Sequence, residues 1–131
     1  MPYKVEHTDD EWRALLSSNA FRVLRRAGTE PPFNNEFWDN HAEGEYHCGG
    51  CTQLLFDSKD KFDSGTGWPS FTRPVTPEAV EVNTDTTLGM TRTEVRCSWC
   101  GGHLGHLFDD GPPPLYTRYC MNSASLTFQP R

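Results

Sequence analysis

Cys97-Ser98-Trp99-Cys100-Gly101-Gly102-His103-Leu104-Gly105-His106-Leu107-Phe108, followed after a proline-rich crossing by Arg118-Tyr119-Cys120-Met121-Asn122-Ser123, decides how this chain is read. The stretch holds a metal-type cysteine pair, two histidines three residues apart in a glycine-rich turn, and one further cysteine. Working outward, Cys48-Gly49-Gly50-Cys51 is a second pair of the same spacing. Each C-x-x-C places two thiolates on one tight turn. Two such turns facing each other make a tetrahedral four-sulfur cage, the closed form of a structural zinc site. The gap between the pairs exceeds that of a compact zinc ribbon. The intervening residues are therefore expected to form a β-insertion whose base the metal pins. Iron binds four thiolates too. A redox dithiol is the rival reading of one pair, but it leaves the other pair idle. Four protein ligands leave no open position for metal catalysis, and no organic cofactor is indicated.

Cys120 is the fifth cysteine and has no partner pair. A lone cysteine is most simply a small buried hydrophobe. Its neighbours argue for more. Arg118 and Cys120 share a face if this run is a strand, with Asn122 two further along. A nearby cation favours the thiolate, the nucleophilic form. His103 and His106 are candidate acid–base partners. Phe62-Asp63-Ser64-Gly65-Thr66-Gly67-Trp68-Pro69-Ser70-Phe71 reads as a bent loop that holds Trp68 beside a proline. Trp68 is either a core residue in a turn or an aromatic wall for a small apolar group such as a methyl.

The rest of the chain sets the frame. Its 131 residues suit one domain spanning positions 1–131. Eleven glycines and ten prolines, with 35% hydrophobic residues, predict a loop-rich protein with a modest core. The net charge of -6, without a lysine–arginine cluster, argues against nucleic-acid binding. No stretch is apolar enough for a membrane-spanning helix, and the N-terminus shows no signal-peptide pattern. A cytoplasmic location follows as the default, and the lack of a heptad or long apolar stripe favours a monomer.

Thr8-Asp9-Asp10-Glu11 reads as a capping box that opens a helix with Trp12, Leu15 and Leu16 on one face. A second helix is capped at Ser18 or Asn19, carries Phe21, Val23 and Leu24, and stops at Gly28. Beyond Gly44 the pattern becomes β. Runs at 45–48, 53–56, 79–82, 92–97, 118–121 and 125–128 read as strands. Their connections are short, so the sheets should be mainly antiparallel. Asp109-Asp110-Gly111-Pro112-Pro113-Pro114 reads as a surface loop.

Taken together, these pieces resemble the type B methionine sulfoxide reductases. The resemblance is carried by Gly28-Thr29-Glu30-Pro31-Pro32-Phe33, both cysteine pairs, the 62–71 loop, the run from Cys97 to Pro112, and Arg118 to Leu126. It implies a mainly β fold: two small antiparallel sheets in a barrel-like arrangement, N-terminal helices outside, and a four-cysteine zinc site away from the reaction. It implies that Cys120 attacks the sulfur of an R-sulfoxide, in oxidised proteins or peptides, and becomes a sulfenic acid. His103 and His106 would bind and protonate the oxygen, Asn122 would help to position groups, and Trp68 would receive the methyl. Phe108 and Arg118 are expected beside the substrate. Repair of methionine sulfoxide by one enzyme per epimer is established chemistry. One departure stands out: many family members have a resolving cysteine where this chain has Thr66. The expected reductant is therefore an external thiol, either thioredoxin or glutathione with glutaredoxin. Two rivals are a zinc-knuckle binding module, in which Cys120 is dispensable, and a zinc-stabilised domain without the chemistry.

Overall fold

The structure, a computed structural model, describes residues 3–131. Two short helices open it, α1 (Asp9–Leu15) and α2 (Ser18–Arg26). The Thr8–Glu11 capping box forms in both directions, as expected. The face of α1 is narrower than its sequence suggests. Trp12 is 1% exposed and Leu16 packs against the core, whereas Leu15, the last residue of the helix, is 61% exposed. The cap of α2 is Ser17 rather than Ser18 or Asn19, its side chain accepting from the Ala20 amide. The left-handed residue that ends α2 is Ala27, at φ 53°, one position before the expected Gly28. Phe21, Val23 and Leu24 are buried as anticipated.

Nine strands follow in two antiparallel sheets. The smaller sheet has the order β2-β1-β9, from β1 (Gly44–Cys48), β2 (Leu54–Asp57) and β9 (Leu126–Pro130). The larger has the order β3-β4-β8-β7-β6-β5. Its members are β3 (Lys61–Phe62), β4 (Ser70–Phe71), β5 (Val80–Asp85), β6 (Arg92–Cys97), β7 (His103–Phe108) and β8 (Arg118–Met121). The mainly β expectation holds, but β3, β4 and β7 are additions to the six expected strands. The first two are only two residues long, and the sequence of β7 looks like a glycine-rich turn. Its glycine is tolerated because β7 runs close against β8: a Cβ on Gly105 would lie 2.0 Å from the Cys120 carbonyl oxygen.

One core lies between the sheets and helices. It includes Trp12, Phe21 and Leu24 from the helices, Tyr46, Leu55 and Phe56 from the smaller sheet, and Phe71, Val95, Leu104 and Met121 from the larger. Phe56 and Phe71 stack at 4.4 Å, joining one sheet to the other. Burial on this scale supplies the main favourable term in folding.

Candidate active site

The two C-x-x-C turns meet at the ends of β1 and β6. Their four sulfurs lie within 4.8 Å of one another, an arrangement that suits a metal ion. Cys48 Sγ is 3.7 Å from Cys100 Sγ, and Cys51 Sγ is 3.4 Å from Cys97 Sγ. Tetrahedral zinc–thiolate bonds of about 2.3 Å demand sulfur separations of roughly 3.8 Å, so the donor set fits that ion. Gln53 donates its amide to Cys97 Sγ at 3.1 Å, and the Gly50 amide donates to Cys48 Sγ. Such donors stabilise thiolates and orient them. Most of the larger sheet lies between the two turns in sequence, the β-insertion expected.

A separate cavity of about 180 Å³ opens beside β8. Cys120, His106, Trp68, Asn122, Arg118 and Phe108 are among its walls, and none of the four clustered cysteines is. Strand pairing explains the meeting. Cys120 lies directly opposite His106 on β7 and opposite Ser70 on β4. Residues paired in this way carry their side chains on one face, a few ångströms apart.

His103 and His106 are three apart on β7, which on a regular strand sends them to opposite faces. A bulge prevents this. Val95 pairs with Gly105 and Arg96 with His103, so Leu104 is an extra residue. The rings then sit 5.3 Å apart, edge to face. His103 lies behind His106 and is not among the cavity walls. Each ring is held by a carboxylate that the sequence reading does not single out. His103 Nδ1 donates to Glu94 Oε2 at 2.7 Å, and His106 Nε2 donates to Asp85 Oδ2 at 2.8 Å. Because a carboxylate only accepts, these bonds fix which ring nitrogen carries a proton. The other nitrogen of His103, Nε2, is buried without a hydrogen-bond partner. Burial pushes the His103 pKa down, with Glu94 opposing. The bond from His106 holds the Asp85 carboxyl far below the usual range.

The Trp68 loop depends on Gly67, at φ 90°, where a Cβ would collide with the Phe33 amide nitrogen. Trp68 Nε1 donates to the Glu30 carbonyl at 2.9 Å. Asn122 is engaged at both ends. Its Oδ1 accepts from the Glu30 amide, and its Nδ2 donates to the Leu104 carbonyl, leaving one N–H unspoken for. Arg118 forks onto Asp110 at 2.7 and 3.1 Å and lies 4.3 Å over the Phe108 ring. Its strand neighbour Cys120 shares its face, as the spacing implied.

These residues can be set beside known proteins. The SelR domain family matches residues 16–130. The peptide methionine sulfoxide reductase MsrB of Thiobacillus denitrificans is 58% identical over 124 residues, covering 95% of this chain and 94% of that protein. The protein of the same name from Thioalkalivibrio sulfidiphilus is 55% identical over 122 residues, covering 93% and 89%. That from Leifsonia xyli is 55% identical over 129 residues, covering 98% and 93%. The chain belongs to the SelR family of type B methionine sulfoxide reductases. It is an oxidoreductase.

For a reductase of this family the state of Cys120 matters. Burial pushes its thiol pKa up, while Arg118 and a hydrogen bond from Thr66 pull the other way. The sequence emphasises the cation, but desolvation wins, so the resting residue is a protonated thiol. Carboxamidomethylation of Cys120 by iodoacetamide, followed by peptide mass spectrometry, is expected to be slow near pH 7. It should still be rising beyond the ordinary thiol value of 9.0. A rate that levels off below pH 8 contradicts this. The carboxylates Asp85 and Glu94, like Arg92 in the cavity wall, are not evident from the sequence because strand register, not local pattern, brings them there.

Proposed function

We propose that this chain reduces the R epimer of methionine sulfoxide in oxidised proteins or peptides, with Cys120 as nucleophile. The observation that carries the reading is Cys120 facing His106 in one cavity with Trp68, apart from every other cysteine. A sulfoxide is a poor electrophile until its oxygen takes a proton. In the proposed reaction an imidazole takes the Cys120 thiol proton on its ring nitrogen that faces no carboxylate, the resulting thiolate attacks the sulfoxide sulfur, and that proton passes on to the oxygen. His106 is the nearer donor, with His103 behind it and Asp85 and Glu94 holding the pair. The sulfur–oxygen bond breaks, methionine departs, and Cys120 carries the oxygen as a sulfenic acid. The substrate sulfur gains two electrons and the Cys120 sulfur loses two. Trp68 takes the methyl, Asn122 orients the oxygen, and Phe108 with Arg118 walls the rest of the side chain. Three separate contacts are what a choice between epimers requires.

Zinc held by Cys48, Cys51, Cys97 and Cys100 is the proposed structural metal, supplying folding energy rather than chemistry. The position facing Cys120 that could have held a resolving thiol is Thr66, which lines the same cavity. An external dithiol protein or glutathione with glutaredoxin therefore returns Cys120 to the thiol, releasing water. The free cysteines fit a reducing compartment such as the cytoplasm. No helix among the described residues is long and apolar enough to cross a membrane. We take the chain to act as one domain and as a monomer.

Turnover on separated sulfoxide epimers with each thiol donor tests the reading. Reduction of the R epimer alone is expected. After one turnover without reductant, mass spectrometry should find a mass gain of one oxygen on the Cys120 peptide. An intramolecular disulfide to Cys120 rules out the one-cysteine scheme, and reduction of the S epimer rules out the specificity.

A further inference from the structure

The segment from Thr29 to Phe37 crosses between the loop that carries Trp68 and the turn that follows Asn122. Glu30 is its busiest residue and is only 4% exposed. Its carbonyl accepts the Trp68 indole N–H at 2.9 Å, and its amide donates to Asn122 Oδ1 at 3.1 Å. Its carboxylate accepts from two main-chain amides at the start of the 3-10 turn Ser123–Ser125. These are the amides of Ser123 and Ala124, the second at 2.9 Å. Farther along, Asn35 donates to the Gly67 carbonyl, and its Oδ1 accepts from the Ser123 hydroxyl. The same segment thus grips both sides of the cavity.

We infer that Glu30 is a positioning residue, whose carboxylate pins its own main chain to the 123–124 turn and so fixes the Trp68 indole and the Asn122 amide for catalysis. The inference rests on the reading of the cavity as the sulfoxide site. Trp68 and Asn122 are both held by main-chain atoms of residue 30, so whatever places that main chain places both side chains. An apolar residue at 30 would leave two N–H groups, one buried and one half-buried, without acceptors. Aspartate is one methylene too short to reach the turn from the same main-chain position. Glutamine has the right shape, but one end of its amide is a donor facing a donor. A charge is tolerated here because both oxygens are satisfied by directed N–H groups. Two contacts to reacting groups from a single residue make placement sensitive, since small misplacements of such groups cost rate steeply.

The test compares Glu30→Gln with the wild type, with Glu30→Ala as the more severe variant. Two peptide substrates are used, R-methionine sulfoxide and R-ethionine sulfoxide, the second larger by one methylene at the group that meets Trp68. Glu30→Gln is expected to fold, to lose about tenfold in kcat/KM on the methyl substrate, and to narrow the methyl-over-ethyl preference. Its tryptophan emission should shift, and the shift should vanish in a Trp68→Phe background. A folded Gln variant with wild-type kinetics and preference overturns the inference. So does one that loses activity while preference and emission stay fixed, because that pattern marks a merely structural role. Failure of the Gln variant to fold assigns Glu30 to the fold and overturns it too; failure of Glu30→Ala alone leaves the Gln comparison decisive. A wild-type protein that reduces neither epimer overturns the reductase reading and this inference with it. A wild type that turns over beside an indifferent Gln variant overturns this inference alone.

Discussion

Replacing Cys120 by serine is expected to lower sulfoxide reduction by at least about 10⁴-fold, while fold and metal content stay as they were. A serine hydroxyl is a far weaker nucleophile toward sulfur than a thiolate, even with the His106 imidazole opposite it. The remaining cysteines cannot substitute, because none lines that cavity. Cys120 is partly exposed and outside the core, so an oxygen in place of its sulfur costs little packing. The measurement is single-turnover reduction of an R-sulfoxide peptide alongside metal analysis and a thermal melt. Residual turnover above about one part in 10³ of wild type would remove Cys120 from the role of nucleophile. The same variant separates the enzyme from a zinc-knuckle binding module, for which Cys120 is dispensable.

Replacing Cys97 by serine should do the reverse: lose the metal and much of the stability. Cys97 is fully buried at the end of β6, with its sulfur 3.4 Å from that of Cys51 and capped by Gln53. The knuckle ties β6 to β1 and receives α2 through Arg25, which donates to the Cys100 carbonyl at 2.9 Å. Metal binding and folding are coupled, so loss of a thiolate is expected to cost at least about 3 kcal/mol. For a chain of this size that corresponds to roughly 10 °C or more in Tm. Atomic emission analysis and a melt with and without chelator read both effects. A Cys97→Ser protein with a full complement of zinc and an unchanged melt would show that the four sulfurs are not a structural metal site.

Much of this is written locally in the chain. The capping box, the aromatic and branched runs of six strands and the two cysteine spacings each depend on residues close in sequence, and the structure contains them all. Leu15 departs from expectation: of the three apolar residues read on one face, Trp12 and Leu16 meet the core and Leu15 does not. β3 and β4 are invisible in the sequence because two residues carry no periodicity. β7 is hidden because Gly105, close after Gly101 and Gly102, looks like part of a turn, whereas it answers the close approach of β8. In the cavity, the legible residues are the types that announce chemistry by themselves: thiol, imidazole, indole. Asp85 and Glu94 are not legible, because only the pairing of β5, β6 and β7 carries them to the two rings. Glu30 sits in a motif without an evident role, since its bonds reach 92 to 94 residues along the chain.

The extra residue at Leu104 bears on how such a site can be transplanted. Copying His103-Leu104-Gly105-His106 into an evenly paired strand of another protein would deliver one imidazole to the target pocket and the second to the reverse side. A graft must bring the two-against-one mismatch opposite Val95 and Arg96, together with a neighbour chain able to accept it. What is portable, then, is a dislocation in the weave as much as a pair of bases.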